Sequence, residues 1–457
     1  MGYWWRQFRE YPARLFIGGF AAAILMGAVL LALPFSAAGA RIGFLDALFT
    51  ATSAVCVTGL TVRDTGSEFS TFGHVVILAL IQLGGLGIVT LSTALFLLFG
   101  QRASLSTHDV LESSFRARPE GKLKPLLVQV FVWTVSIEAV GAVVLLPAEL
   151  RRLPTLEAAW NAAFHAVSAF CNAGFSLRSD SLMGDRTNPA VILPISALII
   201  LGGLGFGVLT EIGEIAWARA CGRRARRLSL HSRTALAATG VLLLAGTLGV
   251  LVFENGNLLR ETDLPGRFLT SFFASVTPRT AGFNSINYAQ ATTATVFLTI
   301  VLMGIGGCPG STAGGIKATT LAVLFATARS RLLGRRWASL FGRGISEMAV
   351  DKAIAVVTLV TVLIVGGTLL LSAVELRQVA HVQTPGRSVG LLFEVVSALG
   401  TVGLTTGITP TLTPAGKMVV IALMFVGRLG PLTVAVAIAR RQPRPAVRLA
   451  EEPIMIN

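Results

Sequence analysis

Apolar residues in this chain fall into long blocks. Runs over 15–33, 73–99, 125–147, 189–215, 235–253, 294–326, 353–374 and 416–438 are nearly free of charge. A bilayer core about 30 Å thick needs roughly 20 helical residues, so these runs predict eight membrane-crossing helices. The first is too long for the apolar region of a signal peptide and no cleavage site follows it. Two kinds of segment join the runs. One is rich in arginine: Arg6–Arg14, Arg102–Lys124, Arg219–Arg233, Arg329–Arg343 and Arg440–Arg448. The other carries acids such as Asp64, Glu68, Asp180, Asp185, Glu254, Glu261 and Asp263. Basic loops stay on the cytoplasmic side, so both termini and three basic linkers are expected inside. The chain then crosses out and back four times.

The outer segments are too apolar for ordinary loops, and they repeat. Phe49, Phe164, Phe272 and Phe393 each precede a glycine by ten residues: Gly59, Gly174, Gly282 and Gly403. The glycines recur every 108 to 121 residues. This internal repeat governs the fold: an all-α membrane protein with four span–pore-loop–span units, pseudo-fourfold around one axis. The units are expected at 1–100, 101–219, 220–345 and 346–457. In each, about ten residues before the glycine form a helix too short to span, which enters the membrane and turns back. Non-helical backbone at that depth must be buried in protein or line water. Four loops around one axis would make a ring of carbonyls able to replace the hydration shell of an alkali cation, with helix C-termini adding partial negative charge. The candidate filter is Val57-Thr58-Gly59, Asn172-Ala173-Gly174, Thr280-Ala281-Gly282 and Thr401-Val402-Gly403. The competing structural reading makes each glycine a tight turn or a packing contact. The third unit lacks the serine found four residues after phenylalanine in the others: Val276 stands there, between Ser275 and Thr277.

The second spans carry adjacent glycines (Gly84-Gly85, Gly202-Gly203, Gly306-Gly307), read in the first two units as helix packing. In the third, Cys308-Pro309-Gly310-Ser311-Thr312-Ala313-Gly314-Gly315-Ile316-Lys317 cannot continue a helix. It is no phosphate loop, because Ile316 separates the glycine from the lysine. A flexible loop below the filter is the expectation. In the fourth, Arg428 stands where the other units have glycine. A charge inside a span is costly and points to function: a barrier beside the loop, a clamp on it, or both. Glu394 could support the filter or concentrate cations. Glu138 could be a satisfied packing contact. The outer acids fit a cation-attracting vestibule or a solvated surface equally well.

Composition narrows the classes. The chain has 457 residues, 53% hydrophobic and 13% charged, with mean hydropathy +0.72. Its net charge of +15 sits in the linkers, where it sets topology and meets anionic lipid, not nucleic acid. Cys56, Cys171, Cys221 and Cys308 form no CxxC and the five histidines no HExxH, so neither a disulfide framework nor a metal enzyme is indicated. Cys56 and Cys171 read as packing residues.

These motifs, Val57-Thr58-Gly59-Leu60, Cys171-Asn172-Ala173-Gly174-Phe175, Arg279-Thr280-Ala281-Gly282-Phe283 and Thr401-Val402-Gly403-Leu404, resemble the Trk/Ktr/HKT superfamily of potassium transporters over nearly the whole length. Within it the likeness is greatest to Ktr membrane subunits of the KtrB type, since no extra spans precede the first unit. The resemblance implies a non-enzymatic potassium pathway in a bacterial inner (plasma) membrane, with K+ bound at the filter and no covalent cofactor. It implies that the 308–317 loop, with Arg428, acts as the gate. It also implies a homodimer on a cytosolic, nucleotide-binding RCK ring of the KtrA type, which the Arg329–Arg343 segment could contact. A sodium-conducting member of the superfamily and a non-transporting scaffold of re-entrant hairpins are the alternatives.

Overall fold

Length and burial divide the helices into two kinds. In the computed structural model, residues 12–98, 123–224, 227–335, 337–377, 380, 384 and 386–430 are described. The basic residues Arg6, Arg9, Arg102, Arg116, Arg118, Lys122, Arg226, Arg336 and Arg440–Arg448 lie outside them, as do 431–438 of the last predicted span and both termini. The element order repeats as long helix, short helix, glycine loop, helix. It runs α1 (Pro12–Leu31), α2 (Phe44–Val55), α3 (Thr65–Glu68), α4 (Thr71–Leu98); α5 (Leu123–Glu149), α6 (Thr155–Phe170), α7 (Pro189–Leu204), α8 (Phe206–Ala220); α9 (Leu230–Glu254), α10 (Leu264–Val276), α11 (Thr293–Gly304), α12 (Ala318–Leu332); and α13 (Glu347–Glu375), α14 (Arg387–Gly400), α15 (Pro414–Leu429). A two-residue hairpin, β1 (Ser339–Leu340) with β2 (Arg343–Gly344), precedes α13.

The short helices that precede the glycine loops lie inside and the long first helices of the repeats outside. Helix α14 buries ten of its fourteen residues. Helix α13 buries only Ala353, Val360, Gly367 and Leu371 of its 29. That is one stripe, and Val362 and Leu369 on other faces stand exposed. An apolar helix with a single packed stripe suits a lipid environment, where association rests on close contact of small residues. Helices α5 (over Val128–Glu149), α9 and α13 are each long and apolar enough to cross a bilayer.

Among the described residues two second spans are broken, not one. The chain leaves the helix between Gly304 and Ala318, as the sequence predicts. It also bends by 105° between α7 and α8, where a continuous span over 189–215 was expected. Gly205 makes the corner at φ 90°, a region only glycine enters freely. A side chain there would strike Pro309 O at 2.5 Å, so the bend makes room for the loop of the third repeat.

Candidate functional site

Each short helix ends in a loop of the same backbone conformation. The glycines have φ 90° (Gly59), 70° (Gly174), 79° (Gly282) and 92° (Gly403). Two residues earlier, Val57, Asn172, Thr280 and Thr401 are also left-handed, at φ 54°, 58°, 68° and 50°. Such angles are strained for side-chain-bearing residues, and strain of this kind gathers at functional sites. Alternating left-handed residues turn successive peptide planes the same way, so neighbouring carbonyls no longer point to opposite sides as in a strand.

The four loops meet one another in cyclic order. A methyl built on Gly59 would lie within 3 Å of Ala173 O, one on Gly174 within 3 Å of Ala281 O, one on Gly282 within 3 Å of Val402 O, and one on Gly403 within 3 Å of Thr58 O. Each glycine thus faces the carbonyl that precedes the next glycine, and the fourth contact closes on the first loop. Gly282 and Gly174 also lie close across the loops. No side chain fits at any of the four positions.

A hydroxyl braces each loop from behind. Gly59 N donates to Ser53 Oγ (3.0 Å) and Gly403 N to Ser397 Oγ (3.1 Å). Ser168 Oγ donates to Phe175 O (2.8 Å) and Thr277 Oγ1 to Phe283 O (2.7 Å). Thr277, not the residue at Val276, therefore does the work of the missing serine. The buried partner of Phe49, Phe164 and Phe393 is likewise Phe273, fully buried like them, while Phe272 is only partly so. The alignment on Phe272 is off by one residue at the helix: Ala281 N reaches back four residues to Thr277 O, while Thr58, Ala173 and Val402 reach back five. The third loop is one residue tighter.

The glycine pairs of the second spans seat the short helices. A methyl at Gly84, Gly202 or Gly427 would collide with Val55 O, Phe170 O or Leu399 O, carbonyls at or next to the short-helix C-termini. Gly306 faces Gly314 O instead, because the 308–317 loop intervenes there. That loop is pinned on several sides. Cys308 N donates to Gly203 O (2.9 Å) and Phe206 N to Gly310 O (3.0 Å). Thr312 Oγ1 lies 3.1 Å from both Phe170 O and Gly202 O, and Asn172 Nδ2 donates to it at 3.0 Å. Lys317 Nζ folds back on Ala313 O (2.8 Å). Arg428, buried, donates from Nη1 to Thr312 O and from Nη2 to Gly84 O, both at 2.5 Å. Its guanidinium ties the loop of the third repeat to α4 of the first. No carboxylate pairs with it among the hydrogen bonds and ion pairs of the described residues.

The other charged candidates brace the structure. Glu394 accepts from Thr409 Oγ1 (2.9 Å) and from Thr405 Oγ1, two residues beyond Gly403. His165 holds Ser176, two residues beyond Gly174, in the same way at 3.0 Å. Glu138 accepts from Gln82 Nε2 (2.6 Å) and lies near Cys171 Sγ (3.6 Å). Cys56, Cys171 and Cys308 are buried free thiols. Several outer acids are also tied down. Asp185 binds Arg152 (2.5 and 2.6 Å) and Arg178, and Arg178 also holds Glu149 (2.5 Å). Asp64 caps α3 through Gly66 N, and Glu254 accepts from Thr292 N, both at 2.8 Å. Burial alone would raise the Asp185 carboxyl, but the hydrogen bond from Arg152 and the charge of Arg178 carry it below the usual carboxylate range. The braces Ser53, Ser168 and Ser397 were visible in the sequence as a serine six residues before each glycine. Gly205 as a corner and Thr312 as an anchor were not foreseen.

Comparison with known proteins is consistent along the length. The family model TrkH, described as cation transport protein, matches residues 21–448. The potassium/sodium uptake protein NtpJ of Enterococcus hirae is 40% identical over 98% of both chains. Ktr system potassium uptake protein B of Bacillus subtilis is 37% identical over 95% of this chain and 94% of that one. The crystal structure of the potassium transporter TrkH from Vibrio parahaemolyticus shares the fold at a TM-score of 0.69 and 21% identity, covering 93% of this chain and 85% of that one.

Proposed function

The chain belongs to the TrkH cation-transport family, and from that premise we propose that it is the ion-translocating membrane subunit of a potassium uptake system. The closed ring of glycine-to-carbonyl contacts carries this reading. In it the four units, 1–100, 101–219, 220–345 and 346–457, surround one pore, and Thr58, Ala173, Ala281 and Val402 supply the carbonyls that replace water around K+. The negative ends of α2, α6, α10 and α14 favour a cation just below. Passage follows the electrochemical gradient; no bond is made or broken. The 308–317 loop closes the path beneath the ring, and Arg428 holds it there by two carbonyls on different elements. Arg428 acts as clamp and barrier together, since a positive charge offset only by carbonyl dipoles also repels a passing cation.

The relatives named Ktr system proteins belong by name to multi-component systems. A homodimer on a cytosolic nucleotide-binding ring fits this chain in the same way, with the Arg329–Arg343 segment on the cytoplasmic side and both termini inside. The second reading, a sodium-conducting member of the family, draws on NtpJ, whose name includes sodium. The test is K+ and Rb+ flux into proteoliposomes holding this chain, with Gly174→Ser and Arg428→Ala as variants. Loss of selectivity in the first and faster flux in the second are expected. Selectivity left intact by Gly174→Ser would remove the filter assignment. Na+ carried as well as Rb+ by the unaltered chain would favour the second reading.

A further inference from the structure

Arg428 is not alone in breaking the fourfold pattern with a charge. Three residues before the loop glycine the repeats have Cys56, Cys171, Arg279 and Gly400. A small residue fills this place in three repeats; the third has a guanidinium. Arg279 is only 4% exposed. Among the hydrogen bonds and ion pairs of the described residues no carboxylate pairs with it, and its Nε has no partner. A charge inside a membrane protein with so little to offset it is costly. Packing does not account for it, since cysteine or glycine serves in the other repeats.

Its hydroxyl partner leads to the 308–317 loop. Arg279 Nη2 donates to Thr239 Oγ1 on α9 at 3.0 Å. Thr239 Oγ1 lies 3.9 Å from Cys308 Sγ, which donates to Ala235 O at 4.0 Å. The Cys308 thiol is also within reach of the guanidinium itself. Donors run one way along this chain, from guanidinium to hydroxyl to thiol to carbonyl, the order in which each bond strengthens the next.

Cys308 marks the neck of the loop, where its two ends are bonded to each other. Gly306 N donates to Ile316 O (2.9 Å), Ile316 N to Gly304 O (3.2 Å) and Ala318 N to Gly307 O (3.0 Å). Cys308 and Ala318 bury together with Val208 of α8 and Ala235 of α9. A loop closed at its neck moves as one flap. Arg428 holds the body of that flap at Thr312 O; Arg279 stands at its neck.

We propose that Arg279 is a positioning residue for the gate: through Thr239 and Cys308 it pins the neck of the 308–317 loop to α9, and because it directly precedes Thr280 it joins the seating of the neck to the shape of the third glycine loop. The inference rests on the filter-and-gate reading above. The two arginines then have different effects. Loss of Arg428 frees the body of the flap and leaves the ring alone. Loss of the Arg279 pin loosens the neck and the third glycine loop together.

The test uses the full chain in liposomes, with Rb+ uptake, Na+ as competitor, and labelling of Cys308 by N-ethylmaleimide read by peptide mass spectrometry. Cys221, the exposed thiol among the described residues, is replaced by serine throughout. Thr239→Val keeps the shape and removes the acceptor. A lost hydrogen bond to a charged group shifts a local opening equilibrium about tenfold or more, so Cys308 labelling should rise by about that factor. Rb+ uptake should rise with it and the preference for Rb+ over Na+ should fall. Arg279→Lys, which keeps the charge without the fork, should act in the same direction, and Thr239→Ser should restore all three readouts. Arg428→Ala should speed uptake with ion preference and Cys308 protection kept. Labelling and preference unmoved in Thr239→Val and Arg279→Lys, with Arg428→Ala still fast, overturn the pin and leave the gate standing. Uptake unmoved by Arg428→Ala removes the gate and the pin with it. Labelling that rises at constant preference overturns the link to the glycine loop, and a preference that falls without labelling overturns the hold on the neck. Thr239→Ser as leaky as valine would assign the effect to packing and overturn the role of Arg279.

Discussion

The ring of glycine loops and the layer directly beneath it obey opposite rules. In the ring, four repeats do the same thing: the same two left-handed positions, a hydroxyl behind each loop, the same contact with the next carbonyl. In the layer beneath, no two repeats agree. Helix α4 runs straight through Gly84; α7 turns a corner at Gly205; the third repeat unwinds over 305–317; the fourth places Arg428. A cation is nearly spherical, so a site that sheds its water gains from equivalent carbonyls on all sides. A device that opens and closes gains nothing from fourfold equivalence, because one loop suffices to block a narrow path. On the proposed reading the ring is the filter and the loop beneath it the gate, and sequence divergence among the repeats fits that division of labour.

The largest expected effect breaks the ring. Serine at Gly59, Gly174, Gly282 or Gly403 forces a Cβ onto a neighbouring carbonyl and strains a φ near 80°. Rb+ uptake selective over Na+ should be lost in all four, whichever repeat carries the change. One tolerant glycine among them would break the symmetry claimed for the ring. Arg428 comes next and sharpens the view of the lower layer. Arg428→Lys keeps the charge but cannot span Thr312 O and Gly84 O with a rigid fork. It should conduct faster than the unaltered chain, because the clamp is lost, but more slowly than Arg428→Ala, because the charge remains. A lysine variant as slow as the parent would assign the effect to charge alone.

Much of this was legible in the residues. Long apolar blocks, arginine-rich linkers and a glycine recurring at one period give the helix order, and the Pro-Gly-rich stretch at 308–317 announces its own break. The corner at Gly205 was hidden because Leu204-Gly205-Phe206 reads as apolar helix; only the approach of Pro309 from another repeat demands it. The shift from Phe272 to Phe273 was hidden because adjacent phenylalanines satisfy the same pattern, and the tighter loop shows only when Ala281 N is seen on Thr277 O. The outer acids looked alike in sequence. Their partners, such as Arg152 and Arg178 around Asp185, are set by tertiary contact, and that contact makes Asp185 structural instead of a free vestibule charge.

Asp185 gives an intermediate effect, confined to one repeat. Its carboxyl lies below the ordinary range in the folded chain, so its contribution is present above the unfolded value of about 3.9 and is lost as pH falls through the folded value. The melting temperature of the purified chain should therefore be insensitive to this group from pH 7 to about 5 and fall below about 4. Asp185→Asn should lower it at pH 7, because Arg178 keeps its burial and loses a charge, and should flatten the acid limb. An unchanged acid limb would mean that other carboxylates govern it.

The smallest expected effect is the finest test of the ring. Ser53→Ala, Ser168→Ala, Thr277→Val and Ser397→Ala each delete one hydroxyl behind one loop, and each removes a bond of 2.7 to 3.1 Å. A single neutral hydrogen bond is worth about 1 kcal/mol net, so each variant should fold and shift thermal stability by a few degrees at most. What matters is their equality. If Thr277 does for the third loop what serine does for the others, all four should relax Rb+ over Na+ preference by similar, modest factors. If Thr277→Val is silent while the serine variants are not, the tighter third loop holds itself by its shorter backbone closure. The ring would then be threefold braced around one self-supporting member.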